Sequence, residues 1–106
     1  MNTISEHIEV ITKLCQDYHV SALYVYDNLP GDVGKKFTTR LMVHFELIAP
    51  ESYAENYYSF KYALKALLNS EIILLEEQAL KNPFLKTYID NNKWMIYERQ
   101  DKGLAV

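Results

Sequence analysis

Apolar residues recur at three- and four-residue steps along residues 3–18, where Ile4, Ile8, Ile11, Cys15 and Tyr18 share one face of a predicted helix. Thr3 followed by Glu6 fits a capping box at its start. Ala22 to Tyr26 is a short run rich in β-formers, and the turn chemistry of Asp27-Asn28-Leu29-Pro30-Gly31-Asp32 ends it. From Thr38 to Leu47 the period changes to two. Leu41, Val43, Phe45 and Leu47 alternate with Arg40, Met42, His44 and Glu46, which predicts a strand with one packed face and one more open.

Ser52 with Glu55 suggests a second capping box, opening a helix whose stripe is Tyr53, Tyr57, Phe60, Leu64, Leu67 and Leu68. Asn69-Ser70 closes it. Ile72 to Leu75 is a continuous apolar run bounded by acids, the pattern of a strand buried on both faces. Asn82-Pro83 is a helix start, with Leu85, Tyr88 and Ile89 as the buried face. After Asn91-Asn92, Trp94 to Tyr97 supplies a last strand. The order α-β-β-α-β-α-β predicts an α/β (α+β) domain with helices packed on one face of a small sheet.

The chain of 106 residues suffices for one core, read as a single domain over 1–98 with a polar, frayed tail over 99–106. Three Gly and three Pro exclude collagen-like and low-complexity classes, and nine Tyr argue against disorder. A formal charge of −3 does not suit a protein whose main partner is nucleic acid or an anionic membrane. The single Cys15 excludes an internal disulfide and any multi-cysteine zinc site, and its place on the first helix's stripe makes it a core residue before a nucleophile. Neither a signal peptide nor a run of about 20 apolar residues is visible, so the expected location is the cytoplasm.

Leu23-Tyr24-Val25-Tyr26, Leu41-Met42-Val43-His44-Phe45, Pro50-Glu51-Ser52-Tyr53-Ala54-Glu55-Asn56-Tyr57 and the run Leu74 to Pro83 stand in this order over most of the chain. Together they resemble the minimal nucleotidyltransferases of the DNA-polymerase-β-like superfamily, small prokaryotic proteins paired with HEPN partners in toxin–antitoxin systems. The resemblance implies a small mixed sheet carrying helices and transfer of NMP from NTP. It also implies a Gly-Ser pair after the first strand to hold phosphate, and three Asp residues on two strands to hold magnesium. In this sequence the Gly-Ser pair falls on Asp27 and Asn28. The paired Asp positions fall on Thr38 and Arg40, and the third on Ile73.

Three negative charges are thus exchanged for one positive. An Arg⁺ about 5 Å from Mg²⁺ would repel it by roughly 6–7 kcal/mol at an effective dielectric near 20. The resemblance therefore implies the fold and a pseudoenzyme: no cofactor, no catalytic residue, and an antitoxin-like module that binds a HEPN-like protein or itself. Two alternatives stand beside it. One is a divergent, magnesium-dependent nucleotidyltransferase recruiting Asp27, Asp32 or Glu46 as ligands. The other is a metal-independent nucleotide sensor in which Lys35, Lys36 and Arg40 neutralise the phosphates.

Gly31 to Lys36 lacks the spacing of a phosphate-binding loop and reads first as a solvated turn. Arg40 and His44 lie on a strand, so they do not form a HEPN-type ribonuclease motif. His44 reads as a polar face residue, since the sequence places no Ser, Cys or Asp beside it. His7 and His19 read as a helix-surface and a helix-end residue. Adjacent Glu76 and Glu77 point opposite ways on a strand and read as solvated. Tyr58 and Tyr62 fall off the buried helical stripe, which favours a protein interface.

Overall fold

The computed structural model describes residues 3–26 and 38–99. The elements are α1 (Thr3–Glu6), α2 (Ile8–Asp17), β1 (Val20–Tyr26), β2 (Thr38–Phe45), α3 (Pro50–Leu68), β3 (Glu71–Glu76), a single 3₁₀ turn (Glu77–Ala79), α4 (Pro83–Asn92) and β4 (Lys93–Glu98). The strands form one sheet in the order β3-β2-β1-β4. β1 pairs antiparallel with β2 and with β4, whereas β2 and β3 run parallel through the α3 crossover.

The first predicted helix is interrupted. The His7 amide donates to Ile4 O (3.1 Å), a tight three-residue closure, and a new helix starts with the Ile11 amide on His7 O (2.9 Å). The restart rotates Ile8 out of the buried stripe, so it is exposed, while Ile11 and Cys15 remain in the core. The side chain of Thr3, and with it the first capping box, lies outside the described residues. α3 begins two residues before the expected Ser52. Its N-cap is Ala49, without a side-chain cap, and Pro50 occupies the first helical position, where its fixed φ suits the helix and no N–H is missed. Asn69 ends it in the left-handed region at φ 51°.

β2 is covered on both sides, unlike the half-open strand its alternation suggests. Leu41, Val43 and Phe45 join the main core with Ile11, Cys15, Phe60, Leu64 and Leu68 from α2 and α3. Met42, which points the other way, packs with Tyr26 and with Ile89 of α4. Thus α2 and α3 cover one face as expected, and the short α4 covers part of the other. Leu47 lies beyond the end of β2 and is fully exposed. Ile72 and Leu74 of β3 enter the main core, whereas Ile73 and Leu75 are half-buried at this edge.

A bulge shapes β1. Val20 opposes Phe45 and Ala22 opposes His44, leaving Ser21 as the extra residue. Without it, Val20 and Leu23, three apart on a strand, would face opposite sides. Both are fully buried in the main core. A second bulge falls on β4, where Leu23 opposes Tyr97 and Tyr24 opposes Met95, so Ile96 is extra.

Candidate functional site

β2 carries two groups of polar side chains on one face, at its opposite ends. At the first end, the parallel register sets Thr38 beside Glu71 and Arg40 beside Ile73. Register partners in parallel strands share a face, so the structure brings Thr38, Arg40 and Ile73 together. Arg40 is 2% exposed, with Nε and Nη2 out of contact with solvent. Among the described residues this end also carries an acid that the sequence alone did not single out, Glu71. Its carboxylate is drawn to Lys65 of α3 at 3.0 Å. Thr39, on the opposite face, shares a 2.9 Å hydroxyl contact with Ser70. Asp27, Asn28, Asp32, Lys35 and Lys36 lie outside the described residues. Among the described residues, no group of three or more His, Cys, Asp or Glu side chains is placed to hold a metal ion.

The second group lies four residues along, roughly 13 Å at 3.3 Å per strand residue. Here the bulge turns Ser21 onto His44. Ser21 Oγ is 2.7 Å from His44 Nδ1 and donates to His44 O at 2.8 Å. The hydroxyl has a single proton, and the carbonyl can only accept it. Both contacts are satisfied when Nδ1–H donates to Oγ. His44 thus has a hydroxyl neighbour that the sequence alone did not place. The pair is a positioned imidazole and an occupied hydroxyl, not an activated serine.

Arg99, the first residue of the expected tail, is tied into this end. Its amide donates to Ser21 O at 2.8 Å, and its guanidinium pairs with Glu46. The Glu46 amide in turn donates to His19 O, with His19 in the left-handed region at φ 62°. Ser21, His44, Glu46, Glu77, Glu98 and Arg99 line an open cavity of about 450 Å³. It adjoins a larger one of about 720 Å³ bordered by Thr12, Gln16, His19 and Tyr97. Nothing local announces this cluster, because Ser21 and His44 are 23 residues apart and meet only through the bulged register.

Glu76 and Glu77 are not the solvated strand pair expected from the sequence, since Glu77 lies outside the strand and both are half-buried. Glu76 closes β3, and burial pushes its carboxyl above the ordinary value. Glu77 opens the 3₁₀ turn and lies 3.8 Å from Lys86 of α4. Cys15 is fully buried, and desolvation pushes its thiol up to about 12, which keeps it protonated and inert.

The chain matches no protein-family model and no curated protein sequence. Solved structures do match. A protein described as a minimal nucleotidyltransferase aligns at a TM-score of 0.68 with 20% identity, covering 89% of this chain and 95% of its own. A chain of the Shewanella oneidensis complex between a tri-AMPylated HEPN toxin and an MNT antitoxin aligns at 0.61 with 13% identity, covering 93% and 76%. A toxin–antitoxin complex with AMP-PNP gives 0.61 and 13%, covering 88% and 74%. At such identities the likeness shows the fold: a nucleotidyltransferase-like mixed sheet with helices, as the sequence phrases imply. No helix among the described residues is long and apolar enough to cross a membrane.

Proposed function

We propose that this chain is an antitoxin-like subunit on a nucleotidyltransferase fold, acting by occupying a HEPN-like partner protein without magnesium-dependent transfer. The observation that carries the reading is at the first end of β2. A buried guanidinium and an isoleucine stand side by side where the resemblance calls for metal-binding carboxylates. Magnesium prefers about six oxygen ligands in near-octahedral geometry. A hydrocarbon and a fixed cation offer none, and the cation opposes the metal. The partner class rests on the neighbours that are complexes of a HEPN toxin with an MNT antitoxin.

The test is co-expression with a growth-arresting HEPN toxin of the class found with the MNT antitoxin in the structural neighbours. Growth should be restored, and the two proteins should co-purify at fixed stoichiometry. Label from [α-³²P]ATP with Mg²⁺ should reach neither protein. Label transfer that requires Mg²⁺ would refute the non-catalytic reading and favour the divergent enzyme, with Asp27, Asp32 or Glu46 as ligands. Restored growth without a complex would refute occupancy.

A further inference from the structure

We propose that the outer face of α3 is a self-association surface on which two copies of this chain pack their α3 helices antiparallel about a two-fold axis. Glu51, Glu55, Tyr58, Tyr62 and Lys65 follow one another at steps of four, three, four and three, the spacing of a coiled-coil seam. At 100° per residue this seam lies opposite the stripe of Phe60, Leu64 and Leu68 that enters the core. Tyr58 and Tyr62 are accordingly 51% and 59% exposed.

The two tyrosines are held in place before any partner arrives. Their rings stack at 6.2 Å and 27°. Tyr58 also meets Tyr57 edge-on at 5.0 Å, and the Tyr57 hydroxyl is anchored on Leu74 O. Rigid aromatic pairs of this kind offer large contact area at small entropic cost.

The charge order selects a second copy as the occupant. Acids precede the tyrosines and a lysine follows them, so the seam is complementary to itself only when reversed. Antiparallel packing centred on Phe60 sets Tyr58 against Tyr62 of the second copy and Glu55 against its Lys65, twice over by symmetry. The Lys65–Glu71 pair inside each copy is solvent-exposed and readily shared. The side of β4 away from β1, an edge among the described residues, is a poorer surface for a second copy, because the bulge at Ile96 distorts it. One helix pair falls below the standard interface size, so the association is weak and transient. The surface needs neither a HEPN-like partner nor the absence of metal, so it stands apart from the proposed function.

Sedimentation velocity of the isolated full chain, from about 10 μM to about 1 mM, is the test. Wild type should show a concentration-dependent dimer. Glu55→Lys and Lys65→Glu should each raise its dissociation constant about tenfold, and the double charge swap should restore it to within about threefold. Tyr58→Ala with Tyr62→Ala should abolish it. All four positions are exposed, and far-UV circular dichroism of each variant verifies the fold. Glu55→Lys moves the net charge toward zero, which would promote non-specific association, so weakening by this variant separates the seam from general charge effects. A monomer at every concentration would overturn the proposal. So would a dimer indifferent to these variants, or a double swap that stays dissociated.

Discussion

Glu76 ends β3 half-buried, and desolvation raises its carboxyl above the ordinary value of 4.5. The raised value means that the folded state keeps a proton which the unfolded chain releases first. Below pH 4.5 both states are protonated and nothing is lost; as pH climbs through the folded value, ionisation destabilises the fold. Glu76→Gln should therefore raise the melting temperature at pH 7 and leave it unchanged at pH 3.5. Parallel thermal melts of both proteins across that range check the sign, and a gap that widened on acidification would contradict it. This shift was not legible in the sequence, where Glu76 reads as solvated; it depends on what the end of β3 packs against. Ser21 makes the same point more sharply. One extra strand residue returns Val20 to the core and delivers a hydroxyl to His44, yet no local pattern marks a bulge.

α4 is the element whose start and stop were both readable. Asn82 Oδ1 accepts from the Phe84 and Leu85 amides at 2.9 and 3.2 Å, and Pro83 needs no partner for an absent N–H. Asn82→Ala should cost about 1 kcal/mol in urea unfolding, while Asn82→Asp, which keeps the acceptor, should cost far less. A loss confined to noise for the alanine variant would show that the cap is idle. The long α3 was equally legible because six stripe residues set its phase. Its first turn was not, because Ser52 and Glu55 imitate a cap that Pro50 had already made unnecessary. The break at His7 and the cover over Met42 were hidden for another reason. Alternation reports which residues can face a core, not whether a second, smaller cluster waits on the other side. Thus β2 was placed correctly as a strand and misjudged as half-open, and the register that sets Arg40 beside Ile73 followed once β2 and β3 were parallel neighbours.

At the scale of the whole molecule, the proposed function becomes a statement about linkage. A ligand that binds only the folded chain stabilises it by RT ln(1 + [L]/Kd), about 2.7 kcal/mol at a hundredfold excess over Kd. For a domain near 100 residues each kcal/mol moves the melting temperature by about 4–8 °C. A nucleotide bound with magnesium at such excess would therefore raise it by more than about 10 °C, far above the scatter of a melt. On the proposed occupancy reading, heating the chain with 5 mM ATP and 10 mM MgCl₂ should leave the transition within about 1 °C of the ligand-free value, since the Arg40 and Ile73 side chains offer magnesium no oxygen ligand. The three readings separate by where a shift occurs. A shift that needs Mg²⁺ argues for a working transferase and against occupancy. A shift of equal size in EDTA, removed by Lys35→Ala with Lys36→Ala, assigns the site to a nucleotide sensor. Using the lysines rather than Arg40 for that arm avoids emptying a buried position, since replacing a 2% exposed arginine alters packing as well as charge. A flat response in both conditions leaves the fold with the role that needs no nucleotide, and the same heating experiment with the HEPN-like partner should then supply the missing shift.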